Sequence, residues 1–380
     1  MSFEKIEAFL NEMPRRGLPA CSLLVTHKGK LVYSHSAGFS DVEKTKPANE
    51  NDLYWAFSIT KITTCVAAMQ LVEQGRLRLD DPVSKYLPAF SELFVCDKNT
   101  GEISPAKTTL TIEHLFTMTG GYGYYKKNEP ECLTRAFANK ETTTQELINA
   151  LAQVPLSFEP GSAYQYSMCH DILAAVVEVI SGERFADYVK AHILDPLGMQ
   201  NTGFHLPEDE VEQLLSATYR YIPGVSKSTP IPSENKYNLQ PNLDSGGGGL
   251  YTSPADQIKL MTALALGGTA PNGAQILRPE TVAMMGENRL NDKVLSTFMS
   301  TRLYGYGWGL CGRAHIDPVV SGARSSVGEF GWDGAAGSFA LIDPKQELAL
   351  FFGVHIRGCQ YVYHFIHPRL RDMTYDALEL

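Results

Sequence analysis

Ser58-Ile-Thr-Lys61 sets a hydroxyl and an amine three residues apart, and on a helix that spacing puts both on one face. The pair is a nucleophile with a base beside it. Lys61, Ile62, Cys65, Met69 and Val72 recur at helical spacing and Gly75 supplies a stop, so a helix is predicted over Ser58–Gly75 with the serine in its first turn. Unpaired N–H groups and the positive end of the dipole there favour an anion, which suits a developing oxyanion and a lysine whose proton must leave. Three further Ser-x-x-Lys matches begin at Ser2, Ser104 and Ser233. Ser2 reads as the cap of an opening helix, and the other two lie in proline-bearing polar stretches that read as loops. Taken without chemistry, Ser58 would be a plain helix N-cap.

A serine needs a partner to take its proton, and the Gly-x-Ser-x-Gly elbow of lipases is absent. The Ser-Asp-Asn and Lys-Thr-Gly companions of class A β-lactamases are absent too, but Tyr166-Ser-Met168 is present.

With these residues in view, the chain resembles the class C-like branch of the serine β-lactamase and penicillin-binding-protein superfamily, in particular the family VIII carboxylesterases and related acyltransferases. The segments that carry the resemblance span nearly the whole chain. They include Gly17–Val25, Phe57-Ser-Ile-Thr-Lys61, Leu79–Pro88, Leu110–Gly120, Tyr164-Gln-Tyr-Ser167, Gly246-Gly-Gly-Gly-Leu250 and Gly331-Trp-Asp-Gly-Ala-Ala-Gly337. The resemblance implies acylation of Ser58, proton transfers shared by Lys61 and Tyr166, and a third motif at Trp332-Asp333-Gly334 lining the cleft. It also implies an oxyanion hole made by the backbone N–H groups of Ser58 and Ala335, which are worth a few kcal/mol each in such sites. Whether Lys61 or Tyr166 is the base stays open.

Two departures bear on substrate. Met168 stands where lactamases of this branch carry an asparagine, and Trp332 stands where they carry a lysine that attracts a carboxylate. Asp333 adds a possible anion. The expectation is a carboxylesterase on small neutral esters, with a β-lactamase, a D-amino-acid peptidase or amidase, or an acyltransferase using the same acyl-enzyme as alternatives. Tyr122 and Tyr124, with Tyr125, follow Gly120-Gly121 and are expected to shape the acyl pocket. Asp171, shortly after the tyrosine motif, reads as a charge complement to a helix N-terminus.

The elements that must hold these groups form an α+β pattern. A first helix (about Phe3–Met13) precedes β-rich runs at Ala20–Thr26 and Lys30–His35. Helical segments follow at Thr111–Thr117, Thr144–Ala152, Asp171–Ser181, Phe185–Ile193 and Pro254–Leu266. Strand patterns return at Phe339–Ile342 and Glu347–His355, and a helix closes the chain over about Val362–Ala377. This predicts an antiparallel sheet built from both termini, 1–57 with 300–380, and a mostly helical lobe over 58–299, with the cleft between them. Stretches 92–110 and 222–245 are expected to loop over that cleft. Gly307-Trp-Gly-Leu-Cys-Gly312 and the run Gly246–Gly249 lack the context of a dinucleotide or phosphate loop.

The composition narrows the partners. The 380 residues carry a formal charge of −9 with no basic run, which argues against nucleic acid or an anionic membrane and leaves a small-molecule acyl substrate. Apolar runs are too short to span a bilayer. Seven scattered cysteines without a Cys-x-x-Cys pair, and a Met1-Ser-Phe-Glu start without a signal-peptide pattern, lead to an expected cytoplasmic location. No cofactor is expected, and with no His-Glu-x-x-His no metal is expected either.

Overall fold

A computed structural model describes residues 2–125, 130–238, 241–299 and 303–380. The fold is α+β. Its main sheet has seven antiparallel strands: Tyr306–Trp308, Arg313–His315, Phe330–Gly331, Phe339–Asp343, Leu348–Val354, Ala20–His27 and Lys30–Gly38, in that spatial order. The late strand Leu348–Val354 is therefore central and pairs with the early strand Ala20–His27, in the register Leu23↔Phe352 and Val25↔Leu350. Every residue of Leu348–Val354 is buried, because both faces are covered. The terminal helices Glu4–Asn11 and His367–Leu378 pack on one face, burying Ile6, Leu10 and Leu370 against Leu350 and Phe352. Pro254–Ala265 packs on the other.

Against that second face lies the larger core, centred on the helix Thr60–Glu73. Its residues are buried on almost every side, as expected of a helix without an amphipathic stripe. Cys169–Ser181 packs against it. Local signals set several boundaries. Thr143 caps Thr144–Ala152 by accepting from the Glu146 N–H while the Glu146 carboxylate bonds back. Gly75, at φ 69°, follows the end of the helix Thr60–Glu73.

Of two stretches expected to be loops, 92–110 contains a hairpin and 222–245 supplies the second strand of another. Phe94–Cys96 pairs with Ile103–Pro105, and Thr218–Ile222 pairs with Lys227–Ile231. Their strands are three to five residues long and largely exposed, so they carry no period-two burial signal. The helices Glu131–Ala138, Pro279–Met285 and Asp292–Met299 were not expected from sequence. The lobe boundary drawn at 299/300 falls against residues 300–302, which lie outside the described ones. Among the described residues, no helix is long and apolar enough to cross a membrane.

Candidate active site

Ser58 sits where the short strand Tyr54–Trp55 turns sharply into the central helix. The strand is pinned by Leu250–Thr252, and the Ala56 N–H donates to the Leu250 carbonyl at 2.9 Å. Phe57 makes the turn at φ 45°, a conformation that costs a bulky residue of order 1 kcal/mol and persists only where the surroundings impose it. The strain leaves Ser58 half-buried at the head of the helix.

Lys61, 1% exposed, is surrounded by acceptors. Its Nζ lies 3.4 Å from the Ser58 hydroxyl, 2.8 Å from the Tyr124 hydroxyl and 2.5 Å from the Gly247 carbonyl. The amine thus has three oxygen partners within hydrogen-bond reach. Tyr166 offers the lysine its ring face, 4.8 Å from Nζ to the centroid, and its hydroxyl accepts the Trp332 indole N–H at 2.8 Å. Burial pushes the Tyr124 phenol well above the ordinary tyrosine range, and nearby Tyr166 and Asp171 add to it, so Tyr124 is a protonated neighbour of the lysine.

The glycine run 246–249 positions the lysine's acceptor. The Gly247 N–H donates to Asp171 Oδ1 at 3.1 Å, and the Ser245 hydroxyl donates to the same oxygen at 2.5 Å. Thr64 Oγ1 donates to the Gly246 carbonyl at 2.8 Å, and Asn235 Nδ2 to the Gly248 carbonyl at 3.0 Å. A Cβ on Gly247 would lie 2.4 Å from Asp171 Oδ2 and 3.0 Å from the Tyr124 hydroxyl, so only glycine fits between them. Asp171 is 2% exposed. Burial raises its pKa, while Lys61 and the Ser245 and Gly247 hydrogen bonds pull it back. Its part in the site extends beyond the helix-end charge expected from sequence.

The third motif follows the strand Phe330–Gly331. A Cβ on Gly334 would come within 2.8 Å of the Ala56 carbonyl and 2.2 Å of Ser338 Oγ, so this turn packs closely against the segment leading to Ser58. Ala335 is exposed at the tip of the turn, and among the described residues no acceptor takes its N–H. Asp333 Oδ1 is 3.6 Å from Arg313 Nη1 and 3.7 Å from His367 Nδ1, so its charge is met by those side chains. Trp332 joins an aromatic wall, with ring centroids 5.3 Å from Tyr166 and 4.6 Å from Trp308, itself 5.2 Å from Tyr164.

Not every residue singled out in sequence reaches the cleft. Tyr122 is fully buried and packs edge-on against Phe90 at 6.1 Å. Met168 is 2% exposed in the helical core. Conversely, Gly247, Asp171 and Trp308 were not selected for the site. The aromatic and glycine-rich stretch around Trp308 forms a hairpin, Tyr306–Trp308 with Arg313–His315, which is unlike a nucleotide loop. Among the described residues no group of three or more His, Cys, Asp or Glu side chains could hold a metal ion.

A family model described as Beta-lactamase matches residues 4–357. Esterase EstB of Burkholderia gladioli is 28% identical over 358 residues, covering 89% of this chain and 86% of that protein. Lovastatin esterase of Penicillium rubens is 27% identical over 278 residues, 71% of this chain and 68% of its own. Among solved structures, EstCE1, described as a hydrolase with promiscuous acyltransferase activity, superposes with a TM-score of 0.80 at 24% identity, covering 98% of each chain.

Proposed function

This chain belongs to the beta-lactamase family, and from that premise we propose that it is a serine carboxylesterase acting on small esters through an acyl-Ser58 intermediate. The observation that carries the proposal is the contact of the buried Lys61 amine with the Ser58 hydroxyl at 3.4 Å, at the head of a helix.

In this reading the Ser58 proton passes to Lys61 or Tyr166 as Oγ adds to the ester carbonyl carbon, and the Ser58 and Ala335 N–H groups receive the oxyanion. Collapse expels the alcohol with that proton and leaves acyl-Ser58. Water then adds to the acyl carbon, the acid departs, and the proton returns to Ser58. The esterase assignment over a lactamase is supported by the names of two relatives, an esterase and a lovastatin esterase. Acyl transfer to an alcohol in place of water uses the same intermediate, a reading favoured by the similarity to EstCE1. We place the reaction in the cytoplasm, a reading supported by seven free thiols.

The test is the initial rate of p-nitrophenyl butyrate hydrolysis by the wild type and Ser58→Ala, with nitrocefin in parallel. Ester cleavage lost in the mutant, with slower nitrocefin turnover in the wild type, is expected. Cleavage that survives Ser58→Ala would assign the reaction to another group.

A further inference from the structure

Among the described residues, no carboxylate pairs with the side chain of Arg357. Arg357 ends the short strand Ile356–Arg357, whose Ile356 N–H donates to the Ala336 carbonyl at 2.9 Å, next to the turn that carries Ala335. Its guanidinium lies 4.7 Å from the ring centroid of Phe57, the residue before Ser58. Tyr363, which contributes to the electrostatics at Arg357, donates its hydroxyl to the Gly334 carbonyl at 2.8 Å. The half-buried guanidinium therefore lies against Phe57, the neighbour of Ser58, and feels the charge of Tyr363, which reaches the turn before Ala335.

Its strand partner aggravates the charge. Ile356–Arg357 pairs in parallel with Thr218–Ile222, and the register sets Arg357 opposite Arg220. Like charges directly opposite on paired strands destabilise a sheet, and partial burial of a cation without a partner adds a desolvation cost. Among the described residues no carboxylate lies within ion-pair distance of either guanidinium, and none of their side-chain N–H groups has a hydrogen-bond acceptor. An anion from outside would relieve both costs. Arg357 has the means to receive one: a planar fork that matches a carboxylate bidentately, backed by an aromatic face.

Resting on the acyl-Ser58 reading, we propose that Arg357, seconded by Arg220, binds a carboxylate carried by the ester substrate, so that anionic esters are favoured over neutral ones. This revises the expectation of neutral substrates. That expectation followed from the missing lysine in the third motif, whereas the positive charge arrives from a different strand.

The test compares kcat/KM for two matched pairs. One is p-nitrophenyl hemiglutarate against p-nitrophenyl butyrate, with the carboxylate in the acyl part. The other is 4-butanoyloxybenzoate against its methyl ester, with the carboxylate in the alcohol part. Wild type, Arg357→Met, Arg357→Lys and Ser58→Ala are measured. In at least one pair the anionic ester is expected to be favoured about tenfold in the wild type, as for one charge-assisted interaction. Arg357→Met should bring that ratio near one, mainly through KM, and Arg357→Lys should restore part of it. The proposal is overturned if both wild-type ratios are at or below one, or if the favoured ratio is unmoved by Arg357→Met, while turnover still depends on Ser58. Turnover that persists in Ser58→Ala instead removes the acyl-serine reading, and this proposal with it.

Discussion

The indole N–H of Trp332 donates to the hydroxyl of Tyr166 across 2.8 Å. The third motif thus reaches Tyr166 through a neutral donor that fixes where the phenol oxygen points. Trp332→Phe keeps an aromatic wall and removes this bond. We expect kcat for p-nitrophenyl butyrate to fall about tenfold, the cost of one hydrogen bond made to a reacting group. An unchanged kcat would show that the bond plays no part in orienting Tyr166.

The lysine discriminates between its two tyrosines. Tyr124 takes a hydrogen bond from Nζ at 2.8 Å, whereas Tyr166 presents its ring. Tyr124→Phe should therefore leave Ser58 reactive but loosen Lys61, with kcat down about tenfold. If Tyr166 shares the proton transfers as proposed, Tyr166→Phe should cost about a hundredfold or more. Equal losses would contradict the division of roles.

Asp171 and Gly247 act on the site through Lys61, so their substitutions should lower kcat more than they raise KM. Asp171→Asn keeps an acceptor for Ser245 and Gly247 and deletes the buried charge; a loss of about tenfold is expected, with circular dichroism unchanged. Gly247→Ala must displace Asp171 or Tyr124 and should also destabilise the fold by about 1–3 kcal/mol in urea unfolding.

Two buried histidines set an acid limit on stability. Burial, with Lys61 as a second cause, lowers the His170 pKa to about 3, and burial lowers His355 to about 4, both from an ordinary 6.5. Their folded pKa values are depressed, so both are neutral in the fold while the unfolded chain takes up protons below pH about 6.5. Stability is complete above that pH. It falls as pH drops toward 4 and 3, by about 1 kcal/mol per pH unit for each histidine. Urea midpoints between pH 7 and pH 5 should show this slope, and His355→Gln should make it shallower. A flat profile would contradict the assignment.

Spacing made Ser58 and Lys61 legible, because a helix forces residues three apart onto one face. The long strands and the capped helices were legible for similar local reasons: a β-rich apolar run at Ala20–Thr26, buried throughout, and a Thr143–Glu146 capping box that pattern alone can announce. What escaped was set by distant packing. Nothing near Gly247 in sequence says that Asp171, 76 residues away, will take its N–H, nor that Tyr124 will crowd its Cα. Tyr122 and Tyr124 are alike as letters, yet one fills the core behind Phe90 and the other meets the lysine. The hairpin Thr218–Ile222/Lys227–Ile231 was missed because strands so short carry little periodicity.

The pairing Leu23↔Phe352 also fixes a schedule. The early hairpin Ala20–His27/Lys30–Gly38 gains its other neighbour only when Leu348–Val354 has been made, so the sheet closes last, after nearly the whole chain has left the ribosome. Such non-local closure is slow. The turn bearing Ala335 lies between Phe330–Gly331 and Phe339–Asp343 of that same sheet. A nascent chain can therefore wind the helix that follows Ser58 long before the turn of Ala335 is in place, and on the acyl-Ser58 proposal it stays chemically silent until its final strands dock.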